Sequence, residues 1–213
     1  MDTELFKELP LMGIVRGVSL DDTEELIEAV IGAGLGTIEI TMNTPEAARM
    51  ISKARDVAGG RIAVGAGTVL SKKDLDEALA AGATFIVTPV PDREVAVSCV
   101  ERGIPVFPGA LTPSEVLDAW DAGATMVKVF PCGLFGPKYI KELKGPFDKI
   151  KLMAVGGVRP DNVEEYFSCG ADAVAFGASV FKKEWLEKKD FSSIGNLVAQ
   201  FVKAVEHIRQ APK

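Results

Sequence analysis

Short apolar runs alternate with amphipathic stretches from Leu11 onward, and the alternation repeats eight times. Five of the handovers share one signature, in which a helix-like stretch ends in a residue plus glycine and a β-rich run follows. Ala33-Gly34 precedes Thr37 to Ile40, Ala81-Gly82 precedes Thr84 to Val87, and Arg102-Gly103 precedes Pro105 to Phe107. Ala122-Gly123 precedes Thr125 to Val129, and Cys169-Gly170 precedes Asp172 to Phe176. Glycine just past a helix adopts the left-handed backbone without steric penalty, so each pair predicts a helix ending and a strand beginning. Three further runs, Leu11 to Val15, Arg61 to Val64 and Ile150 to Met153, complete eight predicted strands. Helix starts are signalled at Ser19-Leu20-Asp21-Asp22, Ser71-Lys72-Lys73-Asp74, Thr112-Pro113-Ser114-Glu115 and Arg159-Pro160-Asp161-Asn162, two of them with proline in the first turn.

Strands that recur every 20 to 26 residues, each followed by a helix, predict a parallel sheet covered by helices. Eight such units fit an α/β fold of the (β/α)8 TIM-barrel type, near the lower end of its size range. No linker interrupts the chain, which predicts one domain over residues 1–213. An open doubly wound sheet is the competing architecture, but no GxGxxG follows any strand. Glu4 to Leu9 is expected to form a short helix at the barrel bottom. A last helix is marked by Leu197, Val198, Phe201, Val202, Val205 and Ile208, with His207 off that apolar stripe.

Composition narrows the chemistry. With 213 residues, 47% hydrophobic and 25% charged, the chain can bury its own core without disulfides or a structural metal. A net charge of −6 and the lack of a basic run argue against nucleic acid as a partner. Cys99, Cys132 and Cys169 form neither a disulfide framework nor a CxxC motif, which fits a reducing cytoplasm. No apolar stretch approaches the ~18 residues of a membrane span, and Asp2 and Glu4 do not suit a signal peptide. A cytoplasmic location is therefore expected. A single histidine disfavours a Ser-His-Asp triad, a Cys-His pair and a histidine-rich zinc site. No metal and no cofactor are expected. Chemistry falls to lysine, carboxylates, arginine, hydroxyls and backbone amides.

On a barrel, function sits at the C-terminal ends of the strands. Lys128 lies in Met126-Val127-Lys128-Val129-Phe130, where an ammonium is poorly solvated. Desolvation favours the neutral amine, the form that attacks a carbonyl to make a Schiff base. A snorkelling lysine or a structural ion pair is the alternative. Glu39, in Thr37-Ile38-Glu39-Ile40-Thr41, is likewise a general acid/base or the partner of a buried cation. Gly156-Gly157 and Gly177-Ala178-Ser179 follow the last two strands, where barrels commonly hold phosphate on backbone amides. Gly65-Ala66-Gly67-Thr68 lacks the lysine of a P-loop; its glycines are expected to let a ligand approach the backbone, with Thr68 donating a hydrogen bond. Phe130 and Pro89 either wall the pocket or pack the core. These residues allow a Schiff-base aldolase, a non-covalent phosphosugar isomerase or epimerase, or a silent metabolite-binding barrel.

Several segments carry a family resemblance: IEITMNTPEA (38–47), GAGTVL (65–70), FIVTP (85–89), PGALTPSE (108–115), VKVFPCGLFGPKYIKELKGPF (127–147), AVGGV (154–158) and FGAS (176–179). In this order and over nearly the whole chain, they resemble the 2-keto-3-deoxy-6-phosphogluconate (KDPG) and 4-hydroxy-2-oxoglutarate (KHG) aldolases. The resemblance implies a metal-independent class I aldolase on a (β/α)8 barrel, assembled as a homotrimer. Its substrate would be a phosphorylated keto sugar acid of the 6-phosphogluconate type, cleaved to pyruvate and glyceraldehyde 3-phosphate, with 4-hydroxy-2-oxoglutarate as a further substrate. It places the Schiff-base lysine at Lys128, the acid/base glutamate at Glu39 and the carboxylate-holding threonine at Thr68. Phosphate would fall to Gly156, Gly157, Gly177 and Ser179. Two positions depart from the commonest family pattern. Asn43, expected to contact the substrate, stands near the place where many members carry an arginine, and Val155 precedes the GG pair where many carry threonine. These choices, with Arg16 in the first strand's IVRG, resemble the 2-keto-3-deoxy-6-phosphogalactonate (KDPGal) branch, the alternative substrate. Arg16 is expected to replace the missing arginine at the carboxylate.

Overall fold

The computed structural model describes residues 3–210. A short helix, α1 (Thr3–Glu8), leads into β1 (Leu11–Val15), and strands and helices then alternate. They run α2 (Thr23–Gly32), β2 (Thr37–Thr41), α3 (Ala47–Ala58), β3 (Ala63–Gly67), α4 (Lys72–Ala80), β4 (Ile86–Val87) and α5 (Arg93–Glu101). The second half runs β5 (Val106–Phe107), β6 (Gly109–Ala110), α6 (Pro113–Asp121), β7 (Val127–Val129), α7 (Lys138–Lys144), β8 (Leu152–Val155), α8 (Val163–Ser168), β9 (Ala173–Phe176), α9 (Lys183–Glu187) and α10 (Phe191–Gln210).

The sheet order is β5-β4-β3-β2-β1-β9-β8-β7-β6, with every pairing parallel. The two ends of that order are consecutive pieces of one path, so the ring closes through the fifth barrel strand. Pro108, which has no N–H to donate, divides that strand into β5 and β6. β5 pairs with β4 while β6 pairs with β7, and the Lys128 amide still donates to the Pro108 carbonyl at 2.8 Å. The eight predicted strands are thus present as nine segments of a (β/α)8 barrel.

Gly34, Gly82, Gly103, Gly123 and Gly170 all take positive φ, so the helix-to-strand signature reports a real backbone requirement. Ser71 and Thr112 cap their helices by accepting from the Asp74 and Glu115 amides, the latter within a full capping box. Ser19 and Arg159 instead open a turn before helices that start at Thr23 and Val163. The third strand corrects the sequence expectation of Arg61 to Val64. Arg61 belongs to the loop, where it forks onto Glu28 and bonds the Ala58 carbonyl, and the strand continues to Gly67 in register with Thr41.

Alternation along the strands divides two cores. Outward residues such as Ile38, Ile40, Val64, Val127 and Val174 join the helices in one cluster, each fully buried Ile or Val contributing about 1.5–3 kcal/mol over exposure. Inward residues form a second cluster that includes Met12, Phe85, Phe107, Met126 and Met153. Phe6 of α1 closes its lower end edge-on to Phe107, with centroids 5.7 Å apart and planes at 80°. The expected bottom helix is therefore present, and Arg209 of α10 donates to the Lys7 carbonyl at 2.7 Å. His207 is exposed on α10. Among the described residues no helix is long and apolar enough to cross a membrane.

Candidate active site

The C-terminal mouth of the barrel opens on a cavity of about 830 Å³. Lys128, at the middle of β7, reaches its floor, and Arg16, Thr68, Pro89, Phe130, Gly156, Gly157, Gly177 and Ser179 also line it. Nine of the eleven site residues picked from sequence therefore meet at one hollow. Glu39 lies just beneath, 1% exposed, with its Oε1 3.9 Å from Lys128 Nζ. β2 and β7 are separated in the sheet by β1, β9 and β8, so barrel closure alone brings this pair together.

The pair is unusual in its polar surroundings. Neither carboxyl oxygen of Glu39 has a hydrogen-bond partner. Burial raises its pKa above the ordinary 4.5, and the charges of Lys128 and Arg16 only partly oppose that shift. Such a carboxyl holds a proton more readily than a solvated one, which suits a group that both gives and takes protons. Lys128 Nζ also lies 5.7 Å from the centroid of the half-open Phe130 ring, within cation–π range.

Around the rim, Thr68 takes a left-handed φ of 55°, and its Oγ1 comes within 3.5 Å of the Arg16 guanidinium. A threonine held in that region stores strain of order 1–3 kcal/mol, as is common at ligand sites. The loops after β8 and β9 expose backbone N–H groups: those of Gly157, Ala178 and Ser179 bond to no other described residue. The same loops pack tightly, since a Cβ on Gly157 would come within 2.7 Å of Gly133 Cα. Val155, 3% exposed, lines the wall between them and Lys128.

Two sequence expectations need correction. Asn43 is exposed and does not line the cavity. The turn after β2 closes by a Thr44 N–H bond to the Thr41 carbonyl, and the two threonine hydroxyls meet at 3.0 Å. Thr44 thus takes the inward position, where its hydroxyl accepts from the Gly17 amide beside Arg16, and Asn43 is turned to solvent. The second correction concerns Gly65 and Gly67, which sit inside β3 and make room for protein side chains, Phe85 and Glu39, instead of a ligand.

Other lining residues had no sequence signal. The cavity extends sideways to Val18, Asp22, Phe181, Lys183, Leu186 and Lys189, where Lys189 pairs with Asp22 at 2.6 Å. Cys132 is buried behind the wall; burial pushes its thiol up to about 11, and it donates to the Val129 carbonyl. It is a packing thiol, poorly suited to nucleophilic work. Among the described residues no group of three or more His, Cys, Asp or Glu is placed to hold a metal ion.

Fold and site together define a parallel (β/α)8 barrel that brings one lysine and one buried carboxyl together at its C-terminal mouth. Comparison with known proteins refines that class. The family model described as Aldolase: KDPG and KHG aldolase matches residues 3–197. The 2-dehydro-3-deoxy-6-phosphogalactonate aldolase of Escherichia coli K12 is 38% identical over 177 residues, covering 82% of this chain and 86% of that one. A solved structure described as native KDPGal superposes with a TM-score of 0.89 at 35% identity, covering 96% of this chain and 98% of that one. The KDPG aldolase of Legionella pneumophila, solved with pyruvate captured as a covalent carbinolamine, gives a TM-score of 0.85 at 26% identity, covering 93% and 96%. This chain belongs to the KDPG and KHG aldolase family, and it is a carbon–carbon lyase.

Proposed function

We propose that the protein is a class I aldolase that cleaves a 2-keto-3-deoxy-6-phospho sugar acid to pyruvate and glyceraldehyde 3-phosphate through a Schiff base on Lys128. The observation that carries this reading is the lysine amine on the cavity floor beside a buried carboxyl with no hydrogen-bond partner. Lys128 attacks the C2 ketone as the free amine, and Glu39 relays protons while the carbinolamine loses water. Glu39 then takes the C4 hydroxyl proton as the C3–C4 bond breaks. The electron pair passes into the protonated imine, giving an enamine, which is why no metal is needed as electron sink. Protonation at C3 and hydrolysis release pyruvate and restore the amine.

The remaining residues orient the substrate. Arg16 and Thr68 hold the carboxylate, the guanidinium offering a bidentate fit. The free amides around Gly156, Gly157 and Gly177, with the Ser179 hydroxyl, receive the phosphate, whose binding far from the reacting bond fixes its position. Pro89 and Phe130 wall the space between. Val155, Arg16 and the 38% identity to the Escherichia coli galactonate enzyme favour the galactonate-derived epimer over the gluconate-derived one. Free cysteines at 99, 132 and 169 support a cytoplasmic location, and the exposed Val97, Val100 and Leu117 on α5 and α6 support the homotrimer.

Borohydride reduction in saturating pyruvate tests the covalent step. A stable adduct mapped to Lys128 by mass spectrometry is expected; no adduct would exclude the Schiff base and leave the non-covalent isomerase. Turnover of the two epimeric substrates, measured side by side, decides the branch, and a higher kcat/KM for the gluconate-derived one would reverse this preference.

A further inference from the structure

The inward face of β3 carries Ala63, Gly65 and Gly67, nothing larger than a methyl. At Gly67 an added Cβ would lie 2.5 Å from Glu39 Oε1, 2.6 Å from its Cδ and 3.1 Å from Oε2. Its φ is not left-handed, unlike that of the helix-terminating glycines, so the backbone does not ask for glycine. Space does. β2 and β3 run in parallel register with Thr41 opposite Gly67 and Glu39 opposite Gly65, and the Glu39 side chain leans up-strand into the gap that Gly67 leaves. With no hydrogen bond on either oxygen, the carboxyl is fixed only by what it packs against and by the charges of Lys128 and Arg16.

We propose that Gly67 is a positioning residue, and that its missing side chain is what keeps the Glu39 carboxyl within reach of Lys128 and the reacting carbon. The inference rests on the reading of Glu39 as the acid/base and deepens it. A methyl at Gly67 displaces the carboxyl by about the overlap it creates, and misplacement on the order of 1 Å is worth about 100-fold in rate. Gly65, two residues earlier on the same face, supplies a matched control. An added Cβ there meets the Phe85 ring at 2.4 Å, with none of its nearest contacts on Glu39 or Lys128.

The test compares kcat, KM and the pH profile of Gly67→Ala and Gly65→Ala, with Glu39→Asp as partner. Gly67→Ala is expected to lose about 100-fold in kcat with KM little changed and to move the acid limb of the kcat profile, because the carboxyl's surroundings change. Gly65→Ala should lower thermal stability and leave that limb in place. Because aspartate withdraws the carboxyl by one methylene, Gly67→Ala should cost much less in the Glu39→Asp background than in the parent. Losses that multiply within about twofold, as independent sites do, would overturn the proposal. An unmoved acid limb or near-parental turnover in Gly67→Ala would overturn it too. If Gly67→Ala does not fold, the Glu39→Ala/Gly67→Ala double variant decides: recovery of a cooperative melt supports the clash with Glu39, and persistent unfolding refutes it. Borohydride trapping on Lys128 of the parent protein is independent of all these variants. Its failure would sink the Schiff-base reading, whereas success there with a harmless Gly67→Ala would sink only the positioning role.

Discussion

The lower and upper halves of the barrel interior are built from the same alternating strands yet filled in opposite ways. At the bottom, Phe6, Phe85 and Phe107 stack edge to face among Met12, Met126 and Met153. Every inward position there is large and apolar or is covered by something that is. At the top, Gly156, Gly157 and Gly177, with Arg16, Pro89 and Phe130, are spaced around an open cavity. Lys128 and Glu39 lie at the boundary, the lysine opening on the glycine-lined half and the carboxyl fully buried just beneath it. A lysine so placed is shielded from bulk water on one side and reachable by a small ligand on the other. The lower half supplies stability, and the upper half gives some of it up for access.

Substitutions in the two halves should therefore fail in different ways. Lys128→Ala is expected to reduce cleavage by about 10⁴-fold or more while the thermal melt stays cooperative, since the proposed nucleophile lies above the packed layer. A coupled assay for pyruvate together with circular dichroism checks both halves of that statement. Phe107→Ala should do the reverse, lowering unfolding free energy by about 3–5 kcal/mol in denaturant titration, with the pH dependence of turnover unchanged. The pH profile itself tests the boundary. Burial holds the Glu39 proton above the ordinary carboxylate range, so activity that needs its ionised form should fall as pH drops, at a pH higher than 4.5. A profile flat down to 4.5, or one whose acid limb survives in Glu39→Gln, would remove Glu39 from the mechanism. The smallest effect is expected at the rim. Ser179→Ala removes the hydrogen bond proposed to the phosphate, worth about 0.5–1.5 kcal/mol, read as a severalfold rise in KM for the phosphorylated substrate and none for 4-hydroxy-2-oxoglutarate.

Much of the barrel could be read without coordinates, because helix-terminating glycines and the runs that follow them are local. Five such glycines were picked by pattern, and all five take positive φ. Lys128 and Glu39 also stood out locally, as single ionisable groups in apolar strands. The misreadings share a different cause. Extending the third strand to Gly67 required knowing that Thr41 lies opposite it, and dividing the fifth at Pro108 required knowing both its neighbours. Choosing Thr44 over Asn43 depended on a threonine–threonine bond within the turn and on an amide from another strand's loop. The sideways reach of the cavity to Lys183 and Lys189 left no trace in either segment, because those side chains line it only once α9 has docked.

Local order thus follows from the sequence, because glycine conformation, capping and strand alternation are settled within a few residues of chain. The same chain read linearly also singled out Lys128 and Glu39 as lone ionisable groups in apolar strands. It could not say that they stand 3.9 Å apart, nor that two glycines in β3 exist to accommodate a phenyl ring and a carboxyl. Those facts concern which atoms from distant segments compete for one volume, and volume is shared out only when the barrel closes.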